Sequence, residues 1–113
     1  MLTTPRWHAE VCKIRACLPT FRPFATPGSE AGFYGRLRGP RSGRVYEIVT
    51  RTSLKDYPQK EPGVYIDPRP ESHHWIGDGR LCYRRDGHHW NPATDTFAEV
   101  LAIAIRYITE FDR

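Results

Sequence analysis

A cysteine and most of the histidines of this chain lie in one polar stretch. Cys82 falls within residues 68–90, which also contain four of the five histidines. A thiol is well suited to acyl transfer, because its thiolate is strongly nucleophilic and is also a fair leaving group. Gly79 permits tight backbone geometry before the cysteine, and residues 83–87 after it are mostly charged. The pattern indicates a reactive thiol on an exposed loop. A buried structural thiol stays open as the alternative, since unpaired cysteine is among the most buried residue types.

His74, eight residues before Cys82, is a histidine that such a thiol could use. It could position the thiol, donate a hydrogen bond to a developing oxyanion, or accept the proton of an attacking amine. It could also tie the loop down, because sequence does not fix the orientation of an imidazole. A catalytic and a structural role for His74 therefore both stay open.

Zinc binding is the competing chemistry for these side chains. The three cysteines and the histidine pairs at 73–74 and 88–89 are zinc-ligand types. Cys12 and Cys17 are five positions apart on a predicted helix, so they do not share a face. Adjacent histidines rarely bind one ion together, and none of the usual ligand spacings is present. We therefore expect no bound metal and no other cofactor.

The N-terminal segment is predicted to be an amphipathic helix. Thr4 is a suitable N-cap and Pro5 a suitable first helical residue. Apolar residues then recur every three or four positions until Pro19 ends the pattern. These apolar residues are Trp7, Val11, Ile14 and Leu18. Residues 20–31, which contain two prolines and a glycine, are expected to form a loop.

The middle of the chain is predicted to form antiparallel strands. Residues 33–38 and 44–50 have strand-like composition and are joined by the turn 39–43, Gly-Pro-Arg-Ser-Gly. Their short separation predicts a hairpin. Residues 64–66 are predicted to be a third strand, because Pro-Gly precedes them and Asp-Pro follows them.

The segment from about Thr96 to Phe111 is predicted to be a buried helix. Thr96 and Glu99 form a capping-box pattern at its start. Its apolar face consists of Phe97, Val100, Leu101, Ala104 and Ile108. The order of elements predicts an α+β fold, in which a small antiparallel β-meander packs against an N-terminal and a C-terminal helix. We expect one domain over residues 1–113, whose long irregular stretch around Cys82 is functional.

Composition narrows the class of protein further. The chain has 113 residues and 39% hydrophobic residues, which suits one globular domain. No run approaches the roughly 18 apolar residues of a membrane helix, and the charged N-terminus does not fit a signal peptide. Three cysteines are too few for a disulfide scaffold, so we expect a cytoplasmic protein with no membrane partner. A net charge of +4 is small for a nucleic-acid binder, so that partner is not expected.

Four short motifs resemble the ubiquitin-conjugating enzymes, in the order and roughly the spacing of that family. Residues 35–40, Gly-Arg-Leu-Arg-Gly-Pro, resemble their first strand and turn, and residues 57–64, Tyr-Pro-Gln-Lys-Glu-Pro-Gly-Val, resemble their Tyr-Pro-x-Lys-Pro-Pro-x-Val segment. Residues 79–82, Gly-Arg-Leu-Cys, resemble the surroundings of their catalytic cysteine. Residues 90–92, Trp-Asn-Pro, resemble the Trp-x-Pro before their next helix. Jointly, these matches are specific.

The resemblance implies a fold and a function. The fold implied is that of the ubiquitin-conjugating enzymes, and Cys82 is implied to be the catalytic cysteine. It would accept an activated C-terminus from an adenylating enzyme as a thioester and transfer it to an amine, usually a lysine of an acceptor protein. The cargo would be a ubiquitin-like protein, or a defence enzyme used in the same way. The family also meets its adenylating partner through the N-terminal helix, where Arg6, Lys13 and Arg15 fall on or beside the polar side.

The stretch before Cys82 differs from most eukaryotic members. Those have His-Pro-Asn, whereas residues 73–76 here are His-His-Trp-Ile, so the asparagine credited with oxyanion stabilisation is missing. His73 and Asn91 are the nearest candidates to replace it. Residues 74–82 instead resemble compact bacterial members, which often occur in antiviral defence operons beside an adenylating enzyme. Two alternatives stay open: a catalytically silent binding module of the same fold, and a zinc-stabilised nucleic-acid-binding domain.

Overall fold

The computed structural model describes residues 5–26, 29–53, 55–69, 81 and 89–112. In chain order the elements are α1 (Pro5–Cys17), β1 (Arg22–Thr26), β2 (Glu30–Arg38), β3 (Val45–Ser53), β4 (Gly63–Asp67) and α2 (Phe97–Phe111). The strands form one sheet in the order β1-β2-β3-β4, and each neighbouring pair is antiparallel. The predicted α+β class and the meander of at least three antiparallel strands are confirmed.

The expectation of a loop throughout residues 20–31 is wrong, because β1 lies within it. β1 pairs with β2 along its whole length, beginning with Arg22 opposite Tyr34. Pro23 has no backbone N–H, but β1 is at an edge of the sheet, and among the described strands it pairs with β2 alone. A proline is tolerated there, so its presence did not exclude a strand.

Both helices begin close to where the sequence predicts. α1 starts at Pro5, and α2 starts at Phe97 with Thr96 as its N-cap. The Glu99 carboxylate accepts the backbone N–H of Thr96 at 2.7 Å and its hydroxyl at 2.6 Å, so the capping-box residues are in contact. Within the described part of the chain, no helix is long and apolar enough to span a membrane.

The hydrophobic core lies between α2 and one face of the sheet. α2 packs on β2, β3 and β4, and α1 packs on α2. All five residues of the predicted apolar face of α2 are buried. Their principal partners from the other elements are also fully buried, and these are Ile14, Phe33, Tyr46, Ile48 and Val64.

Asp112, just after α2, ties that helix to the β2–β3 turn. Its carboxylate accepts the backbone N–H groups of Arg41 and Ser42, each at 2.9 Å. It also accepts the hydroxyls of Ser42 at 2.5 Å and Tyr46 at 2.7 Å. The Ser42 hydroxyl and the other donors hold the pKa of Asp112 far below its ordinary value. Gly39 leaves room for this contact, because a Cβ there would lie 2.4 Å from the carboxylate.

Candidate functional site

Leu81, the residue directly before Cys82, is fixed to the sheet. Its backbone N–H donates to the carbonyl oxygen of Val64 in β4 at 2.8 Å, and its side chain is buried in the core. Cys82, His73 and His74 themselves lie outside the described residues, so their roles stay predictions. The chain therefore approaches the predicted nucleophile from a buried residue that is hydrogen-bonded to the sheet.

Trp90 provides a second fixed point, eight residues after Cys82 in the sequence. Its indole N–H donates to the carbonyl oxygen of Pro58 at 2.7 Å, and its ring centroid lies 5.9 Å from that of Tyr57. Trp7 likewise packs against the core. Trp7 and Trp90 thus serve packing and anchoring.

Glu10 on α1 is a buried carboxylate that joins three parts of the fold. It accepts the guanidinium Nε–H of Arg6 at 3.0 Å, the hydroxyl of Tyr57, and the backbone N–H of Phe97 at 2.9 Å. Because Phe97 is the first residue of α2, the negative charge also interacts favourably with the dipole of that helix. Burial raises the pKa of Tyr57 far above its ordinary value, and the bond to Glu10 raises it further. Tyr57 therefore remains a protonated donor at any physiological pH.

Arg6 belongs to this same cluster, so its guanidinium is engaged within the fold, and its role in docking a partner stays a prediction. Beyond Glu10, its guanidinium donates to the carbonyl oxygens of Pro92 at 3.0 Å and Asp95 at 2.5 Å, and to the hydroxyl of Tyr57 at 3.2 Å. A planar guanidinium with five donors can satisfy several acceptors at once, which a lysine could not do in this geometry. Arg6 thus holds the segment before α2 against α1.

The other two predicted docking charges do lie at the surface of α1. Lys13 donates to the Glu99 carboxylate at 2.9 Å in a pair whose side chains are 41% and 38% exposed. Arg15 is exposed. Of the three cations in the predicted partner surface, Arg15 is therefore the most available to another protein, and whether a partner docks there stays a prediction.

Asn91 forms a turn between Trp90 and α2. Its side-chain oxygen accepts the backbone N–H of Ala93 at 3.0 Å, and its own backbone N–H donates to the Asp95 carboxylate at 2.9 Å. These bonds give Asn91 a structural role in presenting the segment that Arg6 binds. A role in oxyanion stabilisation stays a prediction.

Sequence reasoning missed one pairing of metal-ligand types on α1. The Cys12 sulfur lies 3.8 Å from Nε2 of His8, one helical turn earlier. The signal that could have found it is the i,i+4 spacing, which puts two side chains on the same helical face. Among the described residues, no group of three or more histidine, cysteine, aspartate or glutamate side chains is placed to hold a metal ion.

Comparison with known proteins gave no relative. No protein-family model, curated protein or solved structure matches the chain.

Proposed function

We propose that this chain is a thioester-forming conjugating enzyme of the ubiquitin-conjugating type. Cys82 accepts a ubiquitin-like protein, or the C-terminus of a defence enzyme, from an adenylating partner and passes it to an amine of an acceptor. The proposal places the enzyme in the cytoplasm, where its cysteines remain thiols; Cys12 and Cys17 are unpaired and exposed.

The observation that carries the proposal is the convergence of three motifs that are far apart in the sequence. The motif that contains Cys82, residues 79–82, is bonded to the motif at residues 57–64 through Leu81 and Val64. That second motif is bonded in turn to residues 90–92, because Trp90 donates to Pro58. The described residues of the three motifs therefore lie together, as the resemblance requires of motifs that build one site.

The fixed points at Leu81 and Trp90 meet two requirements of an acyl-carrying thiol. Such a thiol must be reached by two large partners in succession, which favours a loop, yet its position must be defined for the attack to be efficient. Leu81 fixes the position of the backbone beside the nucleophile, because its side chain is buried and its N–H donates to Val64. The Glu10 cluster adds a further restraint, because Arg6 ties the segment after Trp90 to α1.

The proposed reaction consists of two acyl transfers. In the first, the Cys82 thiolate attacks the carbonyl carbon of the thioester on the adenylating partner, and the partner's thiolate leaves. In the second, an acceptor amine attacks the new thioester, an amide forms, the Cys82 thiolate leaves and the amine loses a proton. His74 is the proposed acceptor of that proton. The acyl group arrives already activated, so the site has to orient it and to stabilise the oxyanion, without a nucleotide or a metal.

The partner surface in this proposal is the exposed side of α1. Arg15 and Lys13 provide positive charge there, and exposed charges contribute more to encounter rate than to stability. Arg6 is left out of this surface because its guanidinium is used within the fold.

A trapping experiment tests the proposal. The chain is mixed with ATP, the ubiquitin-like protein and the adenylating enzyme of its own genome, and is resolved on a non-reducing gel. We expect a larger species that thiols release. Cys82→Ser should give a slower adduct that thiols do not release, since an oxyester is a less reactive acyl donor. Equal release of both adducts by thiols would rule out acylation of Cys82.

A further inference from the structure

His8 and Cys12 present two metal-binding atoms on the solvent side of α1. Both residues are exposed, and Cys12 is an unpaired thiol. The Cys12 sulfur and the His8 Nε2 are 3.8 Å apart. Neither side chain contributes to the predicted acyl-transfer site, but both lie on the exposed side of α1, near Arg15, which the proposed function assigns to the adenylating partner.

The separation of the two atoms matches that of two ligands on one tetrahedral zinc ion. With a zinc–sulfur distance of about 2.3 Å and a zinc–nitrogen distance of about 2.1 Å, two ligands at the tetrahedral angle lie about 3.6 Å apart. The observed 3.8 Å differs from this by an amount that a small side-chain rotation removes. Zinc prefers thiolate and imidazole ligands, whereas magnesium and calcium prefer oxygen ligands.

One chain supplies only half of such a site. A closed zinc site has four protein ligands, and the part of the chain that the structure describes has no third histidine, cysteine or carboxylate beside this pair. Both ligands face solvent, so the same pair from a second copy can reach the ion. We propose that His8 and Cys12 form half of a Cys2His2 zinc site, which the α1 helix of a second copy completes.

The charges on α1 permit two copies to approach. The Cys12 thiolates of the two copies balance the charge of the zinc ion, so the bound ion is not repelled by the basic residues of α1. Lys13 is engaged by Glu99 at 2.9 Å, and Arg6 by Glu10 at 3.0 Å. Arg15 is the cation that adds repulsion between the two helices. The pairing is therefore expected to need the ion and to be absent without it.

Cobalt(II) is the probe, because its absorption spectrum reports both thiolate ligation and coordination geometry in sites that bind zinc. It is titrated into the full chain under reducing conditions, and sedimentation velocity is recorded on the same samples. We expect saturation at one cobalt per two chains, a thiolate-to-cobalt charge-transfer band, tetrahedral ligand-field bands and a doubled mass. Chelation of the cobalt should return the chain to a monomer.

Matched variants test the assignment of ligands. Cys12→Ser and His8→Ala should each abolish the tetrahedral bands and the dimer. Cys17→Ser and His89→Ala alter an exposed cysteine and an exposed histidine elsewhere, and should change neither. Circular dichroism shows whether each variant keeps its helices. Tetrahedral bands that survive Cys12→Ser or His8→Ala, or a monomer with octahedral cobalt in the unmodified chain, would overturn the proposal.

Discussion

The Glu10 carboxylate, on the first helix, accepts the backbone N–H of Phe97, the first residue of the last helix, at 2.9 Å. The same buried side chain accepts hydrogen bonds from Arg6 and Tyr57. It therefore joins α1, the loop after β3 and the start of α2. Glu10 ties the first helix to the start of the last one, and Arg6, which it holds, binds the segment between Trp90 and α2.

Replacing Glu10 by alanine should destabilise the fold strongly. The change leaves the N–H of Phe97 and the hydroxyl of Tyr57 without their acceptor and removes the charge partner of Arg6. We expect a loss of about 2 to 4 kcal/mol in the free energy of unfolding, measured by urea denaturation. Lys13→Ala, which breaks a surface ion pair, is the control and should cost less than about 1 kcal/mol. Similar losses for the two variants would contradict the buried role of Glu10.

The contribution of Asp112 to stability should disappear in acid. Its hydrogen bonds, the Ser42 hydroxyl first among them, lower its pKa in the folded state, so the unfolded chain takes up this proton at a higher pH. Asp112 therefore stabilises the fold above the ordinary aspartate pKa of about 3.9, and this stabilisation is lost progressively as the pH falls below that value. The Tm of Asp112→Asn should lie below that of the parent at neutral pH, and the gap should shrink toward about pH 3.

The control for this measurement is Asp67→Asn, at an exposed position at the end of β4. It should show no comparable gap at neutral pH. A gap for Asp112→Asn that stays constant down to the acid limit would show that the charge of Asp112 is not what stabilises the turn.

Reversing the charge of Arg15 should slow loading without unfolding the protein. Arg15→Glu is expected to change the free energy of unfolding by less than about 0.5 kcal/mol, since the side chain is exposed. It should slow thioester formation about tenfold at low ionic strength, and by less as salt is added. Arg106→Glu reverses an exposed charge on α2 and is the matched control. Equal loading rates for the two variants would remove α1 as the partner surface.

Substitution of His74 should separate its two open roles. If His74 accepts the proton of the attacking amine, His74→Ala should load normally but discharge to a lysine substrate more slowly, by about a hundredfold or more. A structural role predicts instead that loading and discharge decline together and that the Tm falls. Single-turnover rates for the two half-reactions, measured beside the Tm, distinguish these results.

Elements that local patterns encode could be predicted from the sequence, whereas contacts between distant residues could not. α2 was predictable because its capping residues, Thr96 and Glu99, and its apolar face are local patterns. β1 was missed because Pro23 argues against a strand unless the strand is known to be at an edge. The role of Arg6 was missed because Pro92 and Asp95, whose carbonyls it binds, are more than eighty positions away. The periodicity of apolar residues along a sequence does not indicate contacts between such distant positions.

The same reasoning applies to the candidate site. The motif at residues 79–82 indicated the nucleophile by resemblance, but its attachment to the sheet depends on a bond from Leu81 to Val64, 17 positions earlier. His8 and Cys12 lie within one helical turn, so their pairing could have been predicted from spacing alone.

The central claim is that Cys82 carries the acyl group, and intact-mass measurement of the loading reaction tests it most directly. With ATP, the adenylating enzyme and the ubiquitin-like protein, the chain should gain the mass of the ubiquitin-like protein minus one water, and a thiol should remove that mass. Cys12→Ala and Cys17→Ala, which remove exposed thiols of α1, should still gain it. Cys82→Ala should not. A Cys82→Ala chain that still gains the thiol-labile mass would contradict the account.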